Sequence, residues 1–303
     1  YFRRKVSGKD TYVALPDPSD PLFAVRYKEL SRPDNARQKK EPGTIGALIE
    51  AYKASPEFLE LAENTKRLRL WVLDEFEQKH GQKRVITLST PAVYKLRDEL
   101  RDKPGKANAL LTALSALMGF AVKRGYRPNN PVSKVERFET GEHAPWPDEV
   151  IAEALAAASP MLRLAIITGL YSGQRVGDCV RMQHSWIRDG IMILRTEKSQ
   201  GKTEVFIPIH RTWRAEIDAV PKKALTILYN RYGQPMSDDS VQDQLRRLMR
   251  RLGHVDEENQ LLYTFHGLRK NACNNLAEVG CTPHEISAIT GQSLEIVEHY
   301  TRR

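Results

Sequence analysis

Ile191-Met192-Ile193-Leu194, then Glu197-Lys198-Ser199-Gln200-Gly201-Lys202, then Val205-Phe206-Ile207-Pro208: two short apolar runs flanking a polar stretch read as the strands of a hairpin with a basic turn. On either side the apolar spacing is helical instead. Upstream, Met161 to Thr168 is strongly apolar, and Pro147-Asp148-Glu149 opens a helix with acids near its positive end. Downstream, helices are predicted at Val241 to Leu252, His266 to Val279, Pro283 to Thr290 and Leu294 to Arg302. Thr282-Pro283-His284-Glu285 has the form of a capping box, and Gly280 and Gly291 are natural helix stops. A small antiparallel sheet set among helices predicts an α+β domain over residues 141–303.

Gly141, Pro145 and Pro147 break the periodicity, so Arg137 to Pro147 reads as a linker. Before it, four apolar stripes predict an all-helical domain over residues 41–140. They run through Ile45, Leu48, Ile49 and Tyr52; through Leu68, Trp71, Val72 and Phe76; through Val93, Leu96 and Leu100 after a Thr90-Pro91 start; and from about Lys106 to Lys123. Trp71, Tyr94 and Phe120 fall at helical spacing and are expected in the core. Residues 1–40 read as an irregular basic extension, with a short strand at Thr11 to Leu15 and a Pro-rich stretch after it. Such an extension could be an arm. The fold class is therefore mainly α: a helical domain followed by an α+β one.

With 303 residues the chain exceeds one typical core, and 41% hydrophobic against 28% charged residues suits two folded domains rather than disorder. No run approaches the roughly 18 uninterrupted apolar residues of a membrane span, and no apolar signal segment opens the sequence. Cys179, Cys273 and Cys281 have no zinc-ligand spacing, which predicts buried, reduced thiols and a cytoplasmic location. The net charge of +9 is lopsided: residues 1–40 hold 10 Lys and Arg against 5 acids, residues 41–140 hold 17 against 13, and the rest balances. A front half that embraces a polyanion explains this, with DNA or RNA as the partner. A merely soluble basic protein is the alternative.

His266 and Arg269 lie three apart on a predicted helix and share a face, as a surface pair also would. Arg175 follows the most apolar helix, where a guanidinium needs an anion or solvent, and Asp178 could supply or orient it. Guanidinium forks bind two phosphate oxygens at once and keep their charge, so two arginines with a lysine would suit a phosphodiester. Tyr300 offers a nucleophile, although Ile296, Val297 and Tyr300 also form an apolar stripe. Arg246, Arg247, Arg250 and Arg251 make a basic helix face, for solvent or for phosphate.

The ordered set Arg175, Lys198, His266-x-x-Arg269 and Tyr300 after Ile289-Thr290-Gly291-Gln292-Ser293 resembles the tyrosine recombinases, specifically the phage-type integrases. The local strings Ser172-Gly173-Gln174-Arg175, Thr264-Phe265-His266-Gly267-Leu268-Arg269-Lys270 and Val297-Glu298-His299-Tyr300-Thr301-Arg302 are of that type, and the likeness spans about residues 44–302. It implies a core-binding and a catalytic domain that close around duplex DNA as a tetramer on two duplexes, through a Holliday junction, with possible accessory bending factors. It implies that Arg175 and Arg269 hold the scissile phosphate and that Tyr300 forms a 3′-phosphotyrosyl link without ATP, metal or cofactor. His266 would serve the phenol, whose ordinary pKa is about 10, and Lys198 would protonate the leaving oxygen, with Lys202 a competitor. Gln292 departs from the His or Trp usual at its position; its amide still donates a hydrogen bond but carries no proton in and out. Family members usually continue past the tyrosine into a segment that docks on a neighbouring subunit. Here three residues follow it, so either the sequence is a piece or synapsis is weakened. A type IB topoisomerase and a non-catalytic DNA-binding regulator are the alternatives.

Overall fold

The computed structural model describes residues 2–6, 9–17, 41–196 and 204–301, together with Phe23 and Tyr27. The chain divides into two compact units, Tyr1–Thr140 and Gly141–Arg303.

In the first unit, β1 (Phe2–Val6) pairs antiparallel with β2 (Lys9–Val13). This corrects the expectation of an irregular start: Arg3-Arg4-Lys5 lies in a strand, and the strand predicted at Thr11 to Leu15 begins two residues earlier. The helices follow as α1 (Ile45–Lys53), α2 (Pro56–Leu59), α3 (Glu63–His80), α4 (Thr90–Asp98) and α5 (Pro104–Lys123). Thr44 caps α1 by accepting from the Ala47 amide, and Ser89, not Thr90, caps α4 by accepting from Ala92. Pro91 and Pro104 occupy first-turn positions, where a missing N–H costs nothing.

Among the described helices only α5 is long and apolar enough to cross a membrane. It is instead the core of the unit, burying Leu110, Leu114, Leu117 and Met118 against α1, α3 and α4. Phe120 is buried and Tyr94 partly so, but Trp71 is 52% exposed, which corrects its assignment to the core. Its ring carries the Lys106 ammonium 5.3 Å from the centroid, and a cation held over an indole keeps that face toward solvent. Arg127 is buried and donates to the carbonyls of Asn129, Val85 and Leu88 at 2.6, 3.2 and 3.0 Å.

The second unit runs α6 (Asp148–Ala157), α7 (Pro160–Ser172), α8 (Val176–Arg181), β3 (Ile187–Arg188), β4 (Ile191–Arg195), β5 (Glu204–Pro208), α9 (Arg211–Ala219), α10 (Asp238–Arg251), α11 (Phe265–Glu278), α12 (Pro283–Thr290) and α13 (Leu294–Thr301). Its strands form an antiparallel sheet in the order β3-β4-β5, with Met192 opposite Ile207 and Leu194 opposite Val205. Those four side chains are buried while Phe206 is exposed, the alternation of a sheet with one wet face. Strand β3 is short and was not predicted.

Helix α7 is apolar on every side and so lies inside, packed on α8, α9, α10 and α11. Trp213 of α9 is fully buried and donates its indole N–H to Thr168 Oγ1 at 3.0 Å, which satisfies both groups. The segment ahead of α6 is fastened to α11. Asn271 accepts from the Trp146 amide and donates to the Trp146 carbonyl, each at 2.7 Å, and Trp146 Nε1 reaches the Thr264 carbonyl at 2.8 Å. Only glycine fits at 267, because a Cβ there would stand 2.2 Å from the Ala144 carbonyl oxygen.

Replacing Arg127 by Met removes the donor from two buried carbonyls, those of Val85 and Leu88, and from the more exposed Asn129 carbonyl. We expect a loss of about 3 kcal/mol in urea unfolding, at about 1–3 kcal/mol per unsatisfied group with partial rescue by water. A loss below about 1 kcal/mol would show that the carbonyls find other partners.

Candidate active site

Gly173 ends α7 in the left-handed region, at φ 62°. A Cβ there would meet Thr290 Cγ2 at 2.9 Å and Ala272 Cβ at 3.1 Å, so the end of α7 touches both α11 and α12. Gln174 fixes that junction by donating from Nε2 to the carbonyls of Ile289 and Thr290 at 3.1 and 3.2 Å. Arg175 comes next, half-buried at the N-cap of α8. Asp178 is buried and accepts from Arg181 Nη2 at 3.0 Å.

Arg269 projects from α11 into the same junction and is 2% exposed. Its Nη1 donates to the Gly173 carbonyl, while Nη2 is buried without a hydrogen-bond partner among the described residues. Burial and the repulsion of Arg175 lower its pKa to about 10, so it stays cationic at neutral pH but is poorly compensated. One turn earlier on the same face, His266 is pushed down to about 4 by burial first, then by His143, Arg269, Arg175 and Lys270. It is therefore a neutral imidazole at pH 7, able to accept a proton. Arg175, Arg269 and His266 thus share one positive field, which Asp178 offsets only in part.

Tyr300 is half-buried on α13, packed against Cys273, Ile286 and Val297. It shares with His266 a cavity of about 570 Å³, whose wall also holds Glu142, His143, Lys270 and His299. Arg175 and Arg269 are not among the described residues lining that cavity; the field of their charges reaches it through His266. Gln292 is buried and donates from Nε2 to Cys273 Sγ at 2.9 Å, while its carbonyl accepts from Ser287 Oγ at 2.6 Å. Burial pushes the Cys273 thiol up, and the Cys179 thiol to about 12, so both stay protonated. Cys281 is only partly buried. Lys198 and its competitor Lys202 lie outside the described residues.

Sequence reasoning gave no role to Lys270, His299, Glu142 or His143 of this cavity. Lys270 follows Arg269 and His299 precedes Tyr300, and only their positions in the quoted strings hinted at them. Glu142 and His143 lie in the stretch read as a linker. His143 lies beside His266, with ring centroids 5.0 Å apart and the planes tilted by 57°, and pairs through Nδ1 with Thr264 Oγ1 at 2.9 Å. Arg246 and Arg247, from the basic run on α10, pair with Asp243 at 2.9 and 2.5 Å. Among the described residues no group of three or more His, Cys, Asp and Glu is placed to hold a metal ion.

The family model for the phage integrase family matches residues 148–303. No curated protein matches the chain. Solved structures are similar in fold. A lambda integrase tetramer bound to a Holliday junction has a TM-score of 0.73 at 19% identity, over 99% of this chain and 91% of that one. A lambda integrase dimer bound to a COC′ core site gives 0.73 at 18%, over 86% and 77%. The Tn1549 transposon integrase in complex with transposon right end DNA gives 0.69 at 17%, over 86% and 95%.

The depressed pKa of His266 can be measured by NMR titration of its ring protons, with a midpoint expected near 4. Because the folded value lies below the unfolded 6.5, the unfolded chain binds the extra proton. Stability should therefore fall as pH drops from 6.5 toward 4, and His266→Asn should remove part of that fall. A midpoint near 6.5 in the folded protein would show that the imidazole is open to water.

Proposed function

The chain belongs to the phage integrase family of DNA breaking-and-rejoining enzymes, and from that premise we propose that it is a site-specific recombinase whose nucleophile is Tyr300. The observation that carries this is the buried Arg269 guanidinium, which holds an Nη2 group with no partner among the described residues, beside a second arginine. A buried cation with an unused donor is costly unless an anion completes it, and a phosphodiester brings two free oxygens.

In this reading Arg175 and Arg269 grip the non-bridging oxygens of the scissile phosphate and stabilise the charge that grows on them as phosphorus becomes five-coordinate. The Tyr300 oxygen forms a bond to phosphorus while the bond to the 5′ oxygen breaks. Neutral His266 accepts the phenolic proton directly or helps to hold the phosphate. Lys198, or Lys202, gives a proton to the leaving 5′ oxygen. The product is a 3′-phosphotyrosyl link and a free 5′-hydroxyl, which can attack in reverse. The phosphotyrosyl ester keeps the energy of the bond it replaces, and the guanidiniums supply the positive charge, so the reading needs neither ATP nor metal.

Gln292 would donate its amide to the phosphate, exchanging the Cys273 thiol for an anionic acceptor, which is the stronger bond. The assembly we propose is a tetramer on two duplexes, passing through a Holliday junction. The likeness over 99% of the chain to the lambda integrase tetramer supports it. The excess of basic residues in residues 1–140 supports binding to duplex DNA across the first unit as well.

A nicked suicide duplex tests the chemistry: wild type should be trapped covalently and Tyr300→Phe should not. Absence of trapped wild-type protein would leave a DNA-binding regulator as the better reading. Relaxation of supercoils without exchange between paired sites would favour a topoisomerase. Gln292→His should speed trapping about tenfold or more, on the order of 1–3 kcal/mol for one improved donor. An unchanged rate would remove Gln292 from the site.

A further inference from the structure

The chemistry above makes no use of Lys270. Its side chain is 11% exposed, its Nζ donates to Glu142 Oε2 at 2.6 Å, and the same nitrogen lies 4.8 Å from the centroid of the Tyr300 ring. The other Glu142 oxygen meets His299 Nε2 at 3.0 Å. One carboxylate therefore holds both the cation resting on the Tyr300 ring and the residue next to Tyr300 in the chain.

An exposed lysine samples many rotamers, but a sheathed one with an ion pair on one side and an aromatic face on the other keeps few. Lysine is also costly to bury, and the Glu142 carboxylate and the ring quadrupole offset that cost here. The arrangement spans three elements: Lys270 on α11, Tyr300 and His299 on α13, and Glu142 ahead of α6. Displacement at phosphorus requires the attacking oxygen to lie in line with the leaving one, so the tilt of the phenol ring sets how often attack succeeds. A ring on the short helix α13, packed beside the cluster of Cys273, Ile286 and Val297, needs a further contact to fix that tilt.

Resting on the recombinase reading, we propose that Lys270 is a positioning residue for Tyr300, locked by Glu142, and that it acts on the rate of attack rather than on DNA affinity. Methionine at 270 would fill the same tunnel without holding the ring, whereas arginine would keep a cation that stacks on it.

The test uses the full chain in excess over the nicked suicide duplex. It reads the trapping rate at saturation and the protein concentration that gives half that rate. Lys270→Met should slow the saturated rate about tenfold with the half-saturating concentration changed by less than about twofold. Lys270→Arg should recover most of the rate, and Glu142→Gln should slow it less than Lys270→Met does. A raised half-saturating concentration at an unchanged saturated rate would make Lys270 a DNA contact and overturn the proposal. So would an arginine variant as slow as the methionine one. If Lys270→Met does not fold, Glu142→Gln decides, and a wild-type rate there refutes the role. Wild-type protein that fails to trap defeats the recombinase reading and this one together. Trapping by wild type at the same rate as by the variants sinks this one alone.

Discussion

A guanidinium buried with one of its nitrogens unspent is the constraint around which the second unit is arranged. Arg269 gives Nη1 to the Gly173 carbonyl, and that carbonyl is available because the chain turns there in the left-handed region at the end of the core helix α7. The turn in turn delivers Arg175 to the start of α8. Two cations are thereby brought together by main-chain geometry, and burial first, then the repulsion of Arg175, lowers the pKa of the buried one, with Asp178 offsetting only part of this. Folding alone does not favour such a pair, since desolvation and mutual repulsion both oppose it. On the recombinase reading proposed above, the phosphodiester would supply the negative charge that offsets it.

Burial first, and the neighbouring cations after it, set the state of the imidazole. A histidine surrounded by cations in a half-buried place stays neutral, and a neutral ring can accept a proton where a protonated one cannot. Binding of an anion beside it would relieve the repulsion and raise its proton affinity. On the proposed reading, His266 would be a free base in the empty protein and a better acceptor once a phosphate sits beside it.

Most of the fold was legible because its signals are local. The apolar runs Ile191–Leu194 and Val205–Pro208, the Thr282–Glu285 cap and the stripes of α1, α3 and α5 each fix an element through neighbours a few residues away. The ordered set Arg175, His266, Arg269 and Tyr300 was legible for another reason: its residue types are rarely required in that order for packing alone. What the sequence hid depends on contacts across long spans. Glu142 and His143 sit among turn formers, and nothing local says that they return to a helix more than 120 positions away. Trp71 has the spacing of a core residue, yet the stripe on α3 is narrower than the helix, and the indole falls outside it beneath Lys106. Gln292 reads as a deviation in the sequence, whereas in the fold its amide is already spent on the Cys273 sulfur.

Asn271 grips Trp146 through both of its main-chain groups and stands on the same helix as His266 and Arg269, two positions beyond the latter. The joint that leads into the second unit and the machinery inside it therefore share one rigid rod. A change that loosens either is felt by both, so the segment ahead of α6 is mechanically part of the candidate site rather than a spacer free to drift.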